Sequence, residues 1–189
     1  MRDLFDFAAY RSGAKKYADL ELTQADLRRY TNASIDHIQE IIAGATDFDV
    51  TFVPEDPLAK DIVTGDTLPW TLGHVIVHTT ASAEEGAALA LNLARGVPIE
   101  GRSRYETYWE TVTTIAQVDG RLEESRRMRL AMLDAWPNPP HLEVTYEHRR
   151  LGMMNAFVRF MYGLQHESSH YDQLREILRQ AKAAYRQTA

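Results

Sequence analysis

Four stretches of the chain repeat apolar side chains every three or four residues, which is the spacing of an amphipathic helix. In the first stretch Leu27, Ile38 and Ile42 share one face. Thr23 is placed to cap the start of this helix, and Gly44 is placed to end it. The pattern predicts helices at residues 23–43, 70–95, 114–135 and 150–185.

The segments between these helices are of a different kind. Residues 47–69 contain three prolines and a glycine, which predicts a long loop with a short turn. Residues 141–147 alternate apolar and polar side chains, and a short extended segment is expected there. Four long helices without a series of strands predict an all-α fold. We expect a four-helix bundle with long crossover connections, forming one domain over residues 1–189.

Charge and composition exclude several classes of protein. The chain has 21 basic and 27 acidic residues, and its densest basic cluster, around Arg126, is mixed with glutamates. A nucleic-acid partner is not expected, because such a protein would carry a basic stripe. There is no cysteine, which excludes disulfides, thiolate metal ligands and a cysteine nucleophile. No segment has the apolar length of a signal peptide or a membrane span, so a cytoplasmic protein is expected.

The histidines carry the clearest chemical signal. Seven histidines placed at random would give roughly 0.2 pairs separated by four residues. Two such pairs occur, His74/His78 and His166/His170, and both lie on predicted helices. Residues four apart project from one helix face, so two neutral imidazoles can bind one ion. A site for one divalent metal ion is therefore predicted, for which only one of His74 and His78 needs to reach the ion.

The predicted fourth helix points its histidines into the bundle. Leu174 and Ile177 continue the face of His166 and His170, which indicates burial rather than the alternative of surface histidines. Arg159 stands on the same face, where its guanidinium would suit an anionic group of a substrate. The alternative for Arg159 is a side chain that extends to solvent at the end of the bundle.

Other residues are candidates for the surroundings of the metal. Glu85 shares the face of His78 and is expected to orient a histidine, to act as a ligand or to act as a base. Its alternative is a place at the solvent edge. Five aromatic residues line either a pocket or the ordinary core: Trp70, Tyr105, Tyr108, Trp109 and Tyr162.

Two motifs can be compared with a known family. A Trp-Thr pair begins at Trp70 and is followed eight residues later by His78. Near the other end, His166, His170 and Gln173 form the pattern His-x-x-x-His-x-x-Gln. Together, in this order and with this helix pattern, they resemble the DinB/YfiT-like superfamily of helical-bundle metalloproteins. The likeness extends over essentially the whole chain.

The resemblance implies a three-histidine metal site made of His78, His166 and His170. It leaves His74 as a neighbour, because the family's ligand follows the tryptophan by eight residues. It also implies a metal-dependent enzyme that acts on a small molecule, either a thiol-dependent S-transferase or isomerase or a hydrolase. A low-molecular-weight thiol such as bacillithiol, mycothiol or glutathione is the expected co-substrate, and a homodimer is expected. Zinc or nickel is the favoured metal, with iron and manganese also open.

Two other functions compete with this interpretation. Residues 166–170 also read His-Glu-x-x-His, the zinc-protease motif in which Glu167 would be the general base. The extended form of that motif needs glycine and histidine where Gln173 and Glu176 stand, so the protease is disfavoured. The second alternative is a non-catalytic metal-binding or dimerising helical module. The candidates for catalytic residues are Glu85, Arg159 and Glu167.

Overall fold

The computed structural model of the chain describes residues 4–56, 69–100, 108–149 and 151–188. Within these ranges most residues are helical, and the all-α class predicted from the sequence is confirmed. The helices are α1 (Ala8–Arg11), α2 (Gln24–Ile41), α3 (Asp47–Thr51), α4 (Leu72–Ala94), α5 (Ile115–Asp134), α6 (Ala156–Ser168) and α7 (Tyr171–Thr188). Single turns of 3-10 helix lie at Tyr17–Asp19 and Trp109–Thr111, and a short antiparallel hairpin pairs β1 (Tyr146–His148) with β2 (Gly152–Met154).

Side-chain caps set the starts of the long helices. The Thr23 side chain accepts a hydrogen bond from the amide of Asp26, whose carboxylate bonds back to Thr23, and this capping box begins α2 at the predicted place. Thr114 begins α5 in the same way. Thr71 caps α4 through the amide of His74, so this helix begins two residues after the expected Trp70. Gly44 follows α2 with a φ of 77°, a conformation that glycine adopts without strain.

Contacting pairs of residues give the directions of the helices. Helix α2 is antiparallel to α5 and parallel to α6 and α7, while α4 is antiparallel to α6. Helices α4 and α5 therefore run in the same direction, and the end of α4 and the start of α5 lie at opposite ends of the bundle. This is the predicted crossover arrangement. The contacts between α2 and α5 are Gln39–Glu123 and Arg28–Asp134. Helix α2 contacts α6 through Ser34–Glu167 and α7 through His37–Arg175. The contacts between α4 and α6 are Gly86–Gly163 and His78–His166.

The predicted fourth helix, residues 150–185, is wrong in its extent. Residues 152–154 form β2, and the helical part is divided into α6 and α7 by a turn at Ser169 and His170. Two serines explain the break. The Ser168 hydroxyl donates to the carbonyl of Gln165 (2.8 Å) and the Ser169 hydroxyl to that of His166 (2.6 Å), which competes with the helical ladder. The amide of His170 then bonds to a carbonyl only three residues back, that of Glu167.

The shorter predicted segments have mixed outcomes. Residues 47–69 contain α3, and residues 57–68 of this predicted loop lie outside the described part of the chain. The extended segment expected at residues 141–147 is present as β1, shifted toward its end and paired with β2. Within the described ranges, no helix is long and apolar enough to cross a membrane.

Small residues allow α4 and α6 to approach closely. A Cβ atom added to Gly163 would lie 3.3 Å from the Cα of Ala83, and one added to Gly86 would lie 3.2 Å from the Cα of Gly163. Both distances are tighter than ordinary van der Waals contact, so larger side chains would force the helices apart. This approach brings His78 on α4 next to His166 on α6, with 4.9 Å between their ring centroids.

We expect Gly163→Val to lower the free energy of unfolding by about 1–3 kcal/mol, because the added methyl groups overpack the α4–α6 contact. Gly120→Ala on α5 is the matched control, since nothing lies within 4 Å of a Cβ added there. It should raise stability by about 0.5–1 kcal/mol through the better helix propensity of alanine. Urea unfolding of both variants measures the difference. Equal stability of the two variants would contradict the tight contact.

Candidate metal site

Three histidines from separate parts of the bundle converge on one point. His78 projects from the second turn of α4, His166 from the last turns of α6, and His170 from the turn before α7. One ligand atom of each lies within 4.8 Å of the other two, and all three side chains are partly buried. The ring centroids are 4.9 Å apart for His166 and each neighbour, and 5.3 Å apart for His78 and His170. These are the three residues that the sequence motif indicated.

The ring of His170 is oriented by a neighbour on α7. Its Nδ1 lies 2.7 Å from Oε1 of Gln173, and the Gln173 amide nitrogen bonds in turn to Asp56 (3.3 Å). An amide oxygen only accepts, so Nδ1 carries the proton and Nε2 is left with a lone pair for an ion. Burial lowers the pKa of His170, with a smaller opposing effect from the Gln173 hydrogen bond. The neutral imidazole, which is the form that binds metals, is thereby favoured.

Two tryptophans set His74 apart from the other histidines. Its ring is stacked between Trp70 and Trp109, with centroid distances of 4.4 Å to each, and its Nδ1 lies 3.1 Å from the carbonyl of Pro69. Trp70 also meets His78 edge-on at 5.0 Å, so it forms a wall between His74 and the three-histidine group. His74 is thus a neighbour of the group, as the family motif implied.

The position of Trp109 depends on a glycine in the first turn of α4. A Cβ atom on Gly73 would lie 2.5 Å from the carbonyl oxygen of Val112, a distance that real structures do not show. The bare glycine backbone lets the segment carrying Trp109 lie directly against α4. Because a side chain at residue 73 would displace the segment, Trp109 could then no longer stack on His74.

A cavity of about 250 Å³ adjoins the histidines between α4, α6 and the hairpin. His78 and His166 form one end of it, and Glu85 and Arg159 lie further along its wall. Arg159 is only 7% exposed, which makes it a buried cation rather than one that extends to solvent. The lining residues are His78, Ser82, Glu85, Tyr146, His148, Arg149, Arg159, Tyr162, Gly163 and His166.

The structure places two of the three catalytic candidates in this cavity. Glu85 and Arg159 line it, and the guanidinium of Arg159 lies 5.8 Å from the ring centroid of Tyr162. Sequence reasoning missed three lining residues, Tyr146, His148 and Arg149, which the hairpin supplies. The alternation at residues 141–147 predicted an extended segment, but nothing in it indicated which helix the segment would cover.

Glu167, the third candidate, points away from the cavity. Its side chain has no solvent exposure, and Oε2 accepts hydrogen bonds from Arg129 (3.1 Å) and Ser34 (2.5 Å) on α5 and α2. A carboxylate buried in this ion pair cannot reach a substrate beside the histidines. This burial does not support the candidate role of Glu167 in catalysis, and it disfavours the zinc-protease alternative, which needs Glu167 as the base.

The aromatic candidates separate into different groups. Trp70 and Trp109 lie against the histidines and Tyr162 lines the cavity, as described above. Tyr108 is 80% exposed and lines no part of the cavity described here. Tyr105 lies outside the described residues.

Comparison with known proteins identifies the family. The family model described as the DinB superfamily matches residues 20–174, a range that contains all three histidines. The chain belongs to the DinB superfamily, in agreement with the resemblance drawn from the sequence motifs. No curated protein and no solved structure shows a significant match to the chain.

We expect Gln173→Leu to weaken zinc binding roughly 10- to 100-fold, because the hydrogen bond that orients His170 is lost. Gln180→Leu is the control, since Gln180 also lies on α7 and bonds to Glu55 beside Asp56, without reaching a histidine. Calorimetric titration of both variants with zinc measures the affinities. A similar loss of zinc affinity in both variants would mean that the affinity depends on the contact of α7 with residues 55–56 and not on the hydrogen bond to His170.

Proposed function

We propose that the protein is a metal-dependent enzyme that binds one divalent cation on His78, His166 and His170. Its substrate, a small molecule, occupies the adjoining cavity. The observation that carries the proposal is the convergence of three imidazole ligand atoms within 4.8 Å at one end of that cavity. A homodimer and a cytoplasmic location belong to the same proposal as expectations.

The residues present fit a divalent ion of the first transition row. Three neutral nitrogen ligands suit zinc or nickel, and iron or manganese are also compatible. The lowered pKa of His170 and the fixed proton on its Nδ1 favour the ligating form of the ring. When bound, such a cation supplies Lewis-acid chemistry, favouring the deprotonated form of a coordinated thiol or water.

The composition of the site supports catalysis over a purely structural role for the metal. Structural zinc sites are closed by four protein ligands. Within the described residues, the group that could hold an ion contains three histidines and no further histidine or carboxylate. Two of the three, His78 and His166, also line the cavity, so an open coordination position facing a substrate is consistent with this arrangement.

The cavity favours a substrate that carries an anionic group. Arg149, Arg159 and His148 are basic, and Glu85 is the acidic side chain among the lining residues. The guanidinium of Arg159 presents paired N–H donors of the kind that match a carboxylate. We assign Glu85, which lines the same cavity, the role of moving a proton or orienting a neighbouring group. Thiol-dependent transfer or isomerisation is the reaction class we propose, with hydrolysis as the alternative.

Removing two of the histidines tests the metal site. In a His166→Ala/His170→Ala double variant one imidazole remains, and we expect affinity for zinc and nickel to fall by about 100-fold or more. His141→Ala is the control, because His141 is an exposed histidine paired with Glu143. Isothermal titration of the metal-free proteins measures the affinities. Wild-type affinity in the double variant would rule out the proposed site.

A second variant tests the role of the cavity. We expect Arg159→Met to leave metal affinity unchanged and to lower kcat/KM roughly 10- to 100-fold for a carboxylate substrate, because a charged hydrogen bond is lost. The screen uses low-molecular-weight thiols with small electrophiles, some with and some without a carboxylate. Arg127→Met is the control, since Arg127 pairs with Glu124 on the surface of α5. An equal loss for neutral substrates would contradict recognition of the anion.

A further inference from the structure

Polar side chains cross the middle of the protein core between its two apolar clusters. One cluster is built around Leu93, Met154 and Phe160, the other around Ile38 and Ile76. Burying polar groups between them costs stability unless they are hydrogen-bonded. The fully buried members of this layer, each with at most 4% exposure, are Thr31, Ser34, Thr79, Thr80, Ser125, Arg129 and Glu167.

Four residues form a hydrogen-bond chain through this layer, Arg129–Glu167–Ser34–Tyr171. Oε2 of Glu167 accepts from Nη1 of Arg129 (3.1 Å) and from the hydroxyl of Ser34 (2.5 Å). The Ser34 hydroxyl also lies 2.6 Å from the hydroxyl of Tyr171. Because Ser34 gives its one proton to the carboxylate, Tyr171 is the donor in the last bond.

Two of the four hydrogen-bonded residues directly follow a histidine of the metal site in the sequence. Glu167 directly follows His166, and Tyr171 directly follows His170. The turn between α6 and α7 falls between these two units, so the last turn of α6 and the first residue of α7 are tied to the same Ser34 hydroxyl on α2. One hydroxyl therefore fixes both sides of the helix break.

The segment formed by the end of α6 and the start of α7 has different surroundings on two of its faces. His166 lines the cavity of the metal site, whereas Ser34 and Tyr171 line a second cavity of about 190 Å³ beneath the N-terminal segment. The two cavities share no lining residue. The four hydrogen-bonded residues thus hold the segment from a different face than the one on which the histidines meet. They contact neither the proposed metal nor the substrate cavity.

A buried ion pair is a weak source of stability. Apolar residues of similar size in place of such a pair often leave a protein equally stable or more stable, because the cost of burying two charges disappears. The ion pair and its two hydroxyl partners can instead fix the geometry of the break between α6 and α7. We propose that the Arg129–Glu167–Ser34–Tyr171 chain is a positioning device, which sets the α6–α7 break so that His166 and His170 meet His78. The proposal rests on the proposed function of the three histidines.

Cobalt binding tests this positioning role directly. We expect an Arg129→Met/Glu167→Met double variant to remain folded, with a thermal midpoint equal to or above that of wild type. Its affinity for Co²⁺ should fall roughly 10- to 100-fold, as for residues that orient metal ligands. The visible absorption of bound Co²⁺, which reports coordination geometry, should also change. A folded variant with unchanged affinity and an unchanged spectrum would overturn the proposal.

Two further variants separate positioning from general effects on the fold. Arg126→Met is the matched control, because Arg126 lies one turn from Arg129 on α5 and its hydrogen bonds reach α2 and its own helix. It should leave Co²⁺ affinity and spectrum unchanged. Ser34→Ala leaves the ion pair in place and removes only the shared hydroxyl. If the double variant does not fold, the Ser34→Ala variant tests the proposal in its place. The same change in the Co²⁺ spectrum is expected, and an unchanged spectrum would overturn the proposal.

Hydrogen exchange distinguishes failure of this proposal from failure of the metal site. If wild-type protein binds no Co²⁺, zinc or nickel, the proposed function is wrong. The positioning role is then measured in the metal-free protein at the amides of Ser169 and His170, which bond to carbonyls of α6. Exchange there should rise at least about tenfold in Ser34→Ala relative to amides of α5. Equal exchange in the variant and wild type would show that the chain does not hold the break.

Discussion

The close approach of α4 to α6 is the constraint on which the rest of the site depends. Gly163 and Gly86 remove the side chains that would otherwise hold these helices apart, with Ala83 beside them. Imidazole is a short side chain, so histidines on two helices meet only where the backbones are near each other. The same contact places Arg159 of α6 beside α4 and forms one side of the cavity. Small residues therefore determine where the imidazoles of α4 and α6 can meet.

Around the histidines, the protein uses different chemistry on different sides. Tryptophan rings cover one side, where Trp70 meets His78 and stacks on His74. Basic side chains and Glu85 line the cavity that adjoins the site. Behind α6, a buried ion pair and two hydroxyls tie the segment to α2 and α5. The surroundings thus comprise an apolar wall, a cavity lined by charged side chains and a buried hydrogen-bonded layer. The three imidazoles lie where these surroundings meet.

The break between α6 and α7 shows how local and distant interactions combine. The hydroxyls of Ser168 and Ser169 donate hydrogen bonds to backbone carbonyls of α6 and so weaken the helical ladder. A turn at this point therefore costs little free energy. They do not determine the angle of the turn. That angle is set by groups far away in the chain, Ser34 on one helix and Arg129 on another. A continuous helix would carry both histidines on one face with fixed spacing, whereas the turn lets His170 approach from the start of α7.

The sequence by itself determined the all-α class, the cap at Thr23, the crossover bundle and the two histidine pairs. The helices and the histidine pairs follow from spacing along one helix, the cap from a local hydrogen bond, and the crossover from the length of the connections. The choice of His78 over His74 came from the resemblance to a known family. The helix break, the hairpin residues of the cavity and the direction of Glu167 were decided only by the tertiary structure. Helical periodicity states which side chains share a face, but it does not state which helix covers that face. Glu167 adjoins His166 in sequence, yet it belongs to the core because Arg129 and Ser34 meet it there.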